Sequence, residues 1–167
     1  MTSQQCLQIL RTVKDVAFAS VDAQGDPQVR IIDVMLIEED RLYFCTARGK
    51  AFYQQLIAHP RIAIVGMNKD FQMVRLSGEA RHLDDQKYWI DRIFAENPSM
   101  CDVYPGDSRH ILEAFCIDAG ELSFFDLGRS PIEREQLPLG DGTPSLNGFV
   151  IQESCIGCGT CMRICPQ

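Results

Sequence analysis

At 167 residues the chain has room for one domain and a short appendage. Hydrophobic residues at 46% and charged residues at 23% are globular values, which exclude disordered, collagen-like and coiled-coil chains. With 16 Lys and Arg against 23 Asp and Glu, the net charge of −7 repels phosphate backbones and anionic lipid, so neither nucleic acid nor a membrane surface is an expected partner. No apolar run approaches the roughly 20 residues of a membrane span, and the start MTSQQCLQILRTVKD is too polar for a signal peptide. The expectation is a soluble, cytoplasmic protein.

The first element, Ser3 to Val13, reads as a helix capped by Ser3, with Cys6, Leu7, Ile9 and Leu10 on its apolar face. VAFASV and QVRIIDVMLI follow as strands around the turn cluster DAQGDP, and RLYFCT is a third. AFYQQLIAHP is a short helix, with Phe52, Leu56 and Ile57 on one side and Pro60 ending it. RIAIVGM and FQMVRLSGEARHL are two more strands around Asn68-Lys69-Asp70. DDQKYWIDRIFAENP is a helix capped by Asp84 or Asp85, with Trp89, Ile90, Ile93 and Phe94 as a packed face. ILEAFCIDAGELSFFDLG reads as a hairpin turning at Ala119-Gly120. About six strands with irregularly placed helices predict a mainly β, α+β fold: an antiparallel sheet closed or nearly closed into a barrel. This unit covers 1–128. Residues 129–148, rich in Pro, Gly and polar side chains, read as a linker or extended arm that docks through Ile132, Leu137 and Leu139. A cysteine motif occupies 149–167.

Of eight cysteines, Cys6, Cys45, Cys101 and Cys116 stand alone, while Cys155, Cys158, Cys161 and Cys165 crowd the last thirteen residues. The terminal spacing C-x2-C-x2-C-x3-C-P is that of bacterial iron–sulfur sites, in which thiolates ligate a [4Fe–4S] cube. Gly157 and Gly159 let the backbone approach the cluster, and the segment resembles half of a bacterial ferredoxin. Zinc accepts four thiolates too, but its sites pair two knuckles across a longer gap. The fourth ligand is Cys165 itself, one of the scattered cysteines, or a cysteine of a neighbouring subunit. The scattered Cys6, Cys45 and Cys116 read as buried packing.

Arg30, Thr46, Arg48 and Lys50, with the Gly49 amide, are the residues that can converge on a phosphate, because an acidic protein must concentrate positive charge locally to hold one. Lys50 also precedes the AFYQQL helix, whose free N–H groups favour anions. Residues 1 to about 128 resemble the FMN-binding split-barrel family, which includes pyridoxamine 5′-phosphate oxidases and nitroimidazole-reductase-like proteins. VAFASVDAQGDPQVRIIDV is similar to that family's first hairpin, and RLYFCTARGKAFYQQLIAHPRIAIVGM to its strand, phosphate loop, helix and next strand. FQMVRLSGEARHLDD resembles the following strand, and MCDVYPGD with FFDL the nitroimidazole-reductase-like branch. The resemblance implies a split barrel holding FMN, with Arg30 and Lys50 on the phosphate, Ile31 lining the ring through its backbone and Gln72 contacting the flavin. It also implies a homodimer with flavin at the subunit interface. The functional expectation is an FMN-dependent oxidoreductase, flavin reductase-like or nitroreductase-like, coupled to a [4Fe–4S] relay. Its expected partners are a small-molecule substrate and a redox protein such as a ferredoxin or reductase. The alternative is a non-enzymatic flavin or haem binder, or a redox sensor; F420 is a further ligand of such barrels. No side chain, including His59, His82 and His110, is assigned a catalytic role.

Overall fold

A computed structural model describes residues 1–143 and 154–164. The described chain runs α1 (Ser3–Val13), β1 (Asp15–Val21), β2 (Pro27–Asp33), β3 (Leu36–Glu38), β4 (Arg41–Ala47), α2 (Ala51–Ala58), β5 (Arg61–Met67), β6 (Gln72–Glu79), β7 (Arg81–His82), α3 (Gln86–Glu96), α4 (Met100–Val103), a 3-10 turn (Gly106–Ile111), β8 (Leu112–Ile117), β9 (Gly120–Asp126), β10 (Glu133–Leu139) and α5 (Thr160–Ile164). Six strands form one antiparallel sheet in the order β10-β9-β6-β5-β1-β2, and four form a second, β3-β4-β8-β7. This is the expected antiparallel α+β architecture. Among the described residues no helix is long and apolar enough to cross a membrane.

The main core lies between the two sheets. Phe18 of β1, Phe44 of β4 and Phe52 of α2 meet there, with the Phe18 ring 4.9 Å from Phe44 and 5.2 Å from Phe52. Helix α1 covers this core with Cys6, Leu7 and Leu10 and packs so closely on β5 that a Cβ at Gly66 would lie 3.0 Å from Leu10. A second core forms beyond the four-stranded sheet, where Ile90, Ile93 and Phe94 of α3 are buried and Trp89 stacks on Tyr43 at 4.7 Å. The apolar faces expected of both helices are therefore the packed ones.

Several local expectations need correction. Thr2, not Ser3, caps α1: its hydroxyl accepts from the Gln5 amide while the Gln5 side chain accepts from the Thr2 amide, a reciprocal capping box. Asp85 caps α3 by accepting from the Tyr88 amide. The run QVRIIDVMLI is two strands, because the chain leaves the first sheet at Val34-Met35 and enters the second as β3. FQMVRLSGEARHL divides likewise into β6 and β7. The expected hairpin of residues 111–128 does not pair with itself: β8 joins β4 and β7, and β9 joins β6 and β10. Within the segment read as an arm, Glu133–Leu139 forms the edge strand β10, with Leu139 buried and Leu137 packed on the core. Ile132 stays exposed.

Candidate functional site

Of the expected anion-site residues, Arg30 packs against α2. On β2, Arg30 faces the inner side of the sheet, opposite Phe18. Its guanidinium donates to the Ser20 hydroxyl at 2.6 Å and to the Gln55 side-chain oxygen at 2.9 Å, and lies over the Phe52 ring, 4.4 Å from its centre. Ser20 and Gln55 also bond each other at 2.8 Å. These contacts fix the fork while leaving part of its five-donor inventory unspent. Partial burial lowers the Arg30 pKa from its ordinary value.

Lys50 occupies the N-cap position of α2 in extended conformation, with its side chain exposed and making no capping bond. Thr46 lies on the same inward face of β4 as Leu42 and Phe44 and is only 4% exposed. Its hydroxyl makes no hydrogen bond among the described residues. Gly49 borders open space, with nothing within 4 Å of where a Cβ would sit. Arg30 thus packs against α2 through Gln55 and Phe52, and Lys50 begins that helix.

Arg48 is engaged elsewhere. It donates to Glu113 at 3.0 Å and to the His110 carbonyl at 2.9 Å, while its amide bonds the Ile111 carbonyl. Glu113 sits opposite Thr46 in the β4–β8 ladder, with a side chain only 8% exposed. Its other oxygen lies 2.6 Å from His82 Nε2, and the His82 ring packs edge-on to Tyr53 and Phe115. This Arg48–Glu113–His82 brace was not foreseen from sequence; nothing local links residues 48, 82 and 113.

Ile31 and Gln72 fall away from the α2 cluster. The Ile31 side chain points to the outer side of the sheet, 63% exposed. Because β2 is an edge strand, half of its backbone groups face away from β1 and are free to meet a ligand. Gln72 starts β6, three strands from β2, and its amide side chain is held by Asn68 at 2.9 Å and Asp126 at 3.2 Å. One copy of the chain does not bring Gln72 to Arg30. A larger cleft of about 870 Å³ is lined by residues that include Arg61, Glu79, Arg81 and Asp118, and by none of the expected cofactor residues. Its mixed charges, with Arg81 paired to Asp118 at 2.6 Å, do not make an anion site.

In the tail, Cys155, Cys158 and Cys161 are exposed and unpaired, and Cys165 lies outside the described residues. Among the described residues no three His, Cys, Asp or Glu side chains gather around one point. The backbone does carry the features the spacing requires: Gly157 and Gly159 both take φ of +69°, with open space beside them. The Thr160 hydroxyl and amide hydrogen-bond the Cys158 sulfur and lower its pKa, favouring the thiolate that ligates metal. The scattered thiols behave oppositely. Burial pushes Cys6 and Cys116 up to about 11 and Cys45 up to about 12.

The model of the pyridoxamine 5′-phosphate oxidase family matches residues 2–108, well over half of the chain. The chain belongs to that family. The model of the 4Fe-4S binding domain matches residues 149–167. Among solved structures, a NimC/NimA family protein from Clostridium acetobutylicum superposes with a TM-score of 0.68 at 24% identity, covering 81% of this chain and 93% of that one. A pyridoxamine 5′-phosphate oxidase-related, FMN-binding protein from Nostoc punctiforme gives 0.56 at 16% identity, over 79% and 85% of the two chains. A heme binding protein from Mycobacterium smegmatis gives 0.60 at 14% identity, over 81% and 58%. At these identities the likeness is one of fold. No curated protein matches the sequence.

Proposed function

We propose that this family member is an FMN-dependent oxidoreductase, flavin reductase-like or nitroreductase-like, whose flavin exchanges electrons with a [4Fe–4S] cluster on the C-terminal tail. The observation that carries the reading is the Arg30 fork, held in advance by Ser20, Gln55 and the Phe52 ring against the helix that Lys50 begins. In this reading Arg30, Thr46, Lys50 and the Gly49 amide hold the phosphate, and the free backbone edge of β2 at Ile31 meets the ring. FMN bound there supplies hydride and single-electron chemistry, which is what couples a two-electron substrate to a one-electron carrier. Cys155, Cys158, Cys161 and Cys165 are the ligand set assigned to the cluster, whose contribution is one-electron transfer. Arg48 serves as a brace for the loop that carries Lys50, not as a phosphate ligand.

The proposal includes a homodimer. On the outer side of the six-stranded sheet, Val29 is 73% exposed, Ile31 63% and Met67 50%, an apolar surface that a second copy would cover. A ferredoxin-like or reductase donor and a small-molecule substrate complete the scheme. A second reading is a flavin or haem carrier or a redox sensor; the carrier form is supported by the shared fold of the heme binding protein.

Protein purified without air decides between them. The oxidoreductase reading expects one FMN per chain, about four irons and no stoichiometric zinc. It also expects turnover from reduced ferredoxin or dithionite to an acceptor. Loaded protein that passes no electrons to any acceptor sinks that reading in favour of the sensor, and protein that takes neither FMN nor F420 sinks the flavin assignment itself.

A further inference from the structure

The loop that joins β4 to α2 has few holds of its own. Gly49 borders open space, and the Lys50 side chain makes no hydrogen bond or ion pair among the described residues. One tight turn closes the backbone, with the Lys50 amide donating to the Ala47 carbonyl at 3.0 Å. Past the last ladder pair, Ala47 with Leu112, the ties from the loop to the chain beside it all run through Arg48. Its amide donates to the Ile111 carbonyl at 3.2 Å, and its guanidinium donates to the His110 carbonyl at 2.9 Å and to Glu113 at 3.0 Å. Two of these acceptors are main-chain groups that any residue offers. Only the carboxylate is a matter of side-chain identity.

Glu113 is an unexpected residue for its position. All six residues of β8 are buried, and Glu113 is the one charged residue among them, with a side chain only 8% exposed. A packed apolar side chain there would be at least as stable as a buried ion pair. A negative charge close to a phosphate site also opposes the anion. Both penalties are met if the carboxylate holds something that the site needs. Its two oxygens are engaged on opposite sides: one takes Arg48, and the other lies 2.6 Å from His82 Nε2. The His82 ring is packed edge-on by Tyr53 of α2 and by Phe115. The Arg48 charge offsets that of Glu113, and Arg30 and Lys50 remain as cations without an acidic partner among the described residues.

We propose that Glu113 is a positioning residue of the phosphate loop. By holding Arg48 it sets where residues 48–50 stand, and so presents Lys50 and the Gly49 amide to a phosphate that it does not itself touch. His82 keeps the carboxylate turned towards Arg48. The ligand in this proposal rests on the flavin reading above; the placement of the loop does not.

The test is titration of apoprotein with FMN and with riboflavin, which lacks the phosphate, followed by quenching of flavin fluorescence. Glu113→Leu, which fills the same space without a charge, should weaken FMN about fivefold, the ordering cost of about one side chain, and leave riboflavin unchanged. Glu113→Gln keeps an oxygen that accepts from Arg48 and should recover most of the loss. Arg48→Ala should show the same loss as Glu113→Leu, and the double variant no more than either. Hydrogen exchange on apoprotein supplies a readout that needs no flavin: the Arg48 and Lys50 amides should exchange about fivefold faster in Glu113→Leu, with those of β5 and β6 unaltered. FMN affinity unchanged in Glu113→Leu, an equal loss for riboflavin, additive losses in the double variant, or unaltered exchange at residues 48 and 50 would overturn the proposal. A parent protein that binds no FMN sinks the flavin reading instead, and the exchange rates then decide the role of Glu113 by themselves.

Discussion

Arg30→Ala should separate cofactor affinity from stability. The guanidinium is held by Ser20, Gln55 and the face of Phe52, so its conformational cost is met before a ligand arrives. One charge-assisted hydrogen bond contributes about 1.5–3 kcal/mol, so its loss should raise the FMN dissociation constant about 10- to 150-fold. The fold should lose far less, about 1 kcal/mol, because the Ser20–Gln55 bond at 2.8 Å survives without the arginine. Arg30→Lys should recover only part of the affinity, since an ammonium cannot reproduce the fork. The assay is quenching of FMN fluorescence on titration with apoprotein, beside a thermal melt of each variant. Arg48→Ala is the internal control: its side chain is already committed to Glu113 and the His110 carbonyl, so it should weaken FMN much less than Arg30→Ala. A dissociation constant within twofold of the parent in Arg30→Ala, or an equal loss in Arg48→Ala, would refute this assignment of the phosphate site.

Cys158→Ser should abolish iron binding while FMN stays bound; iron content unchanged by colorimetric assay would remove the tail as the ligand set. Gly78→Ala should destabilise by about 1–3 kcal/mol in denaturant melts, because its Cβ would lie 2.6 Å from the Ala119 carbonyl oxygen, whereas Gly49→Ala meets open space and should be neutral. Asp33 faces Asp15 across the β1–β2 ladder, and burial followed by a hydrogen bond with Asp15 raises its pKa above the ordinary 3.8. A raised carboxyl binds its proton more tightly when folded, so its contribution to stability is full in acid and is lost as pH rises through the folded value. Asp33→Asn should therefore stabilise by about 0.5 kcal/mol at neutral pH, with the gain fading below about pH 4 in a melt series; a gain that grows in acid would reverse the sign.

What was legible in the sequence were the features carried by neighbours in the chain. The apolar period of α3 and the Lys50–Ala51 start of α2 are local, and the structure keeps both. Pairing between strands is not local. Asp118-Ala119-Gly120 marks a chain reversal, but turn chemistry does not say which sheet the next strand joins, and β9 joins the other one. In QVRIIDVMLI only the single Asp33 interrupts the apolar stretch before the change of sheet, too little to announce it. Strand β10 was hidden for another reason: Glu133 and Glu135 occupy two of its inward positions, and the N-terminal ammonium meets Glu135, so a search for alternating apolar residues passes over it. The site followed the same rule. Arg30 and Lys50 stand where a strand and a helix start predict, but Arg48 is decided by Glu113, 65 residues away.

Burial sorts the thiols in a way that bears on the cluster. A metal must compete with protons for each sulfur, so a cysteine raised to about 11 or 12 is a poor ligand at neutral pH, quite apart from its distance from solvent. Burial accounts for Cys6, Cys45 and Cys116 as packing in the two cores. Cys101, in the short helix α4, is the one fully exposed thiol outside the tail among the described residues. Within one chain the choice of fourth ligand then lies between Cys165 and the exposed Cys101. The two differ in what they demand: Cys165 closes the site within eleven residues of Cys155, whereas Cys101 would have to draw the tail onto the barrel. A cluster closed by Cys165 needs nothing from the barrel, so a short peptide spanning the four terminal cysteines should take up iron and sulfide as a [4Fe–4S] unit by itself.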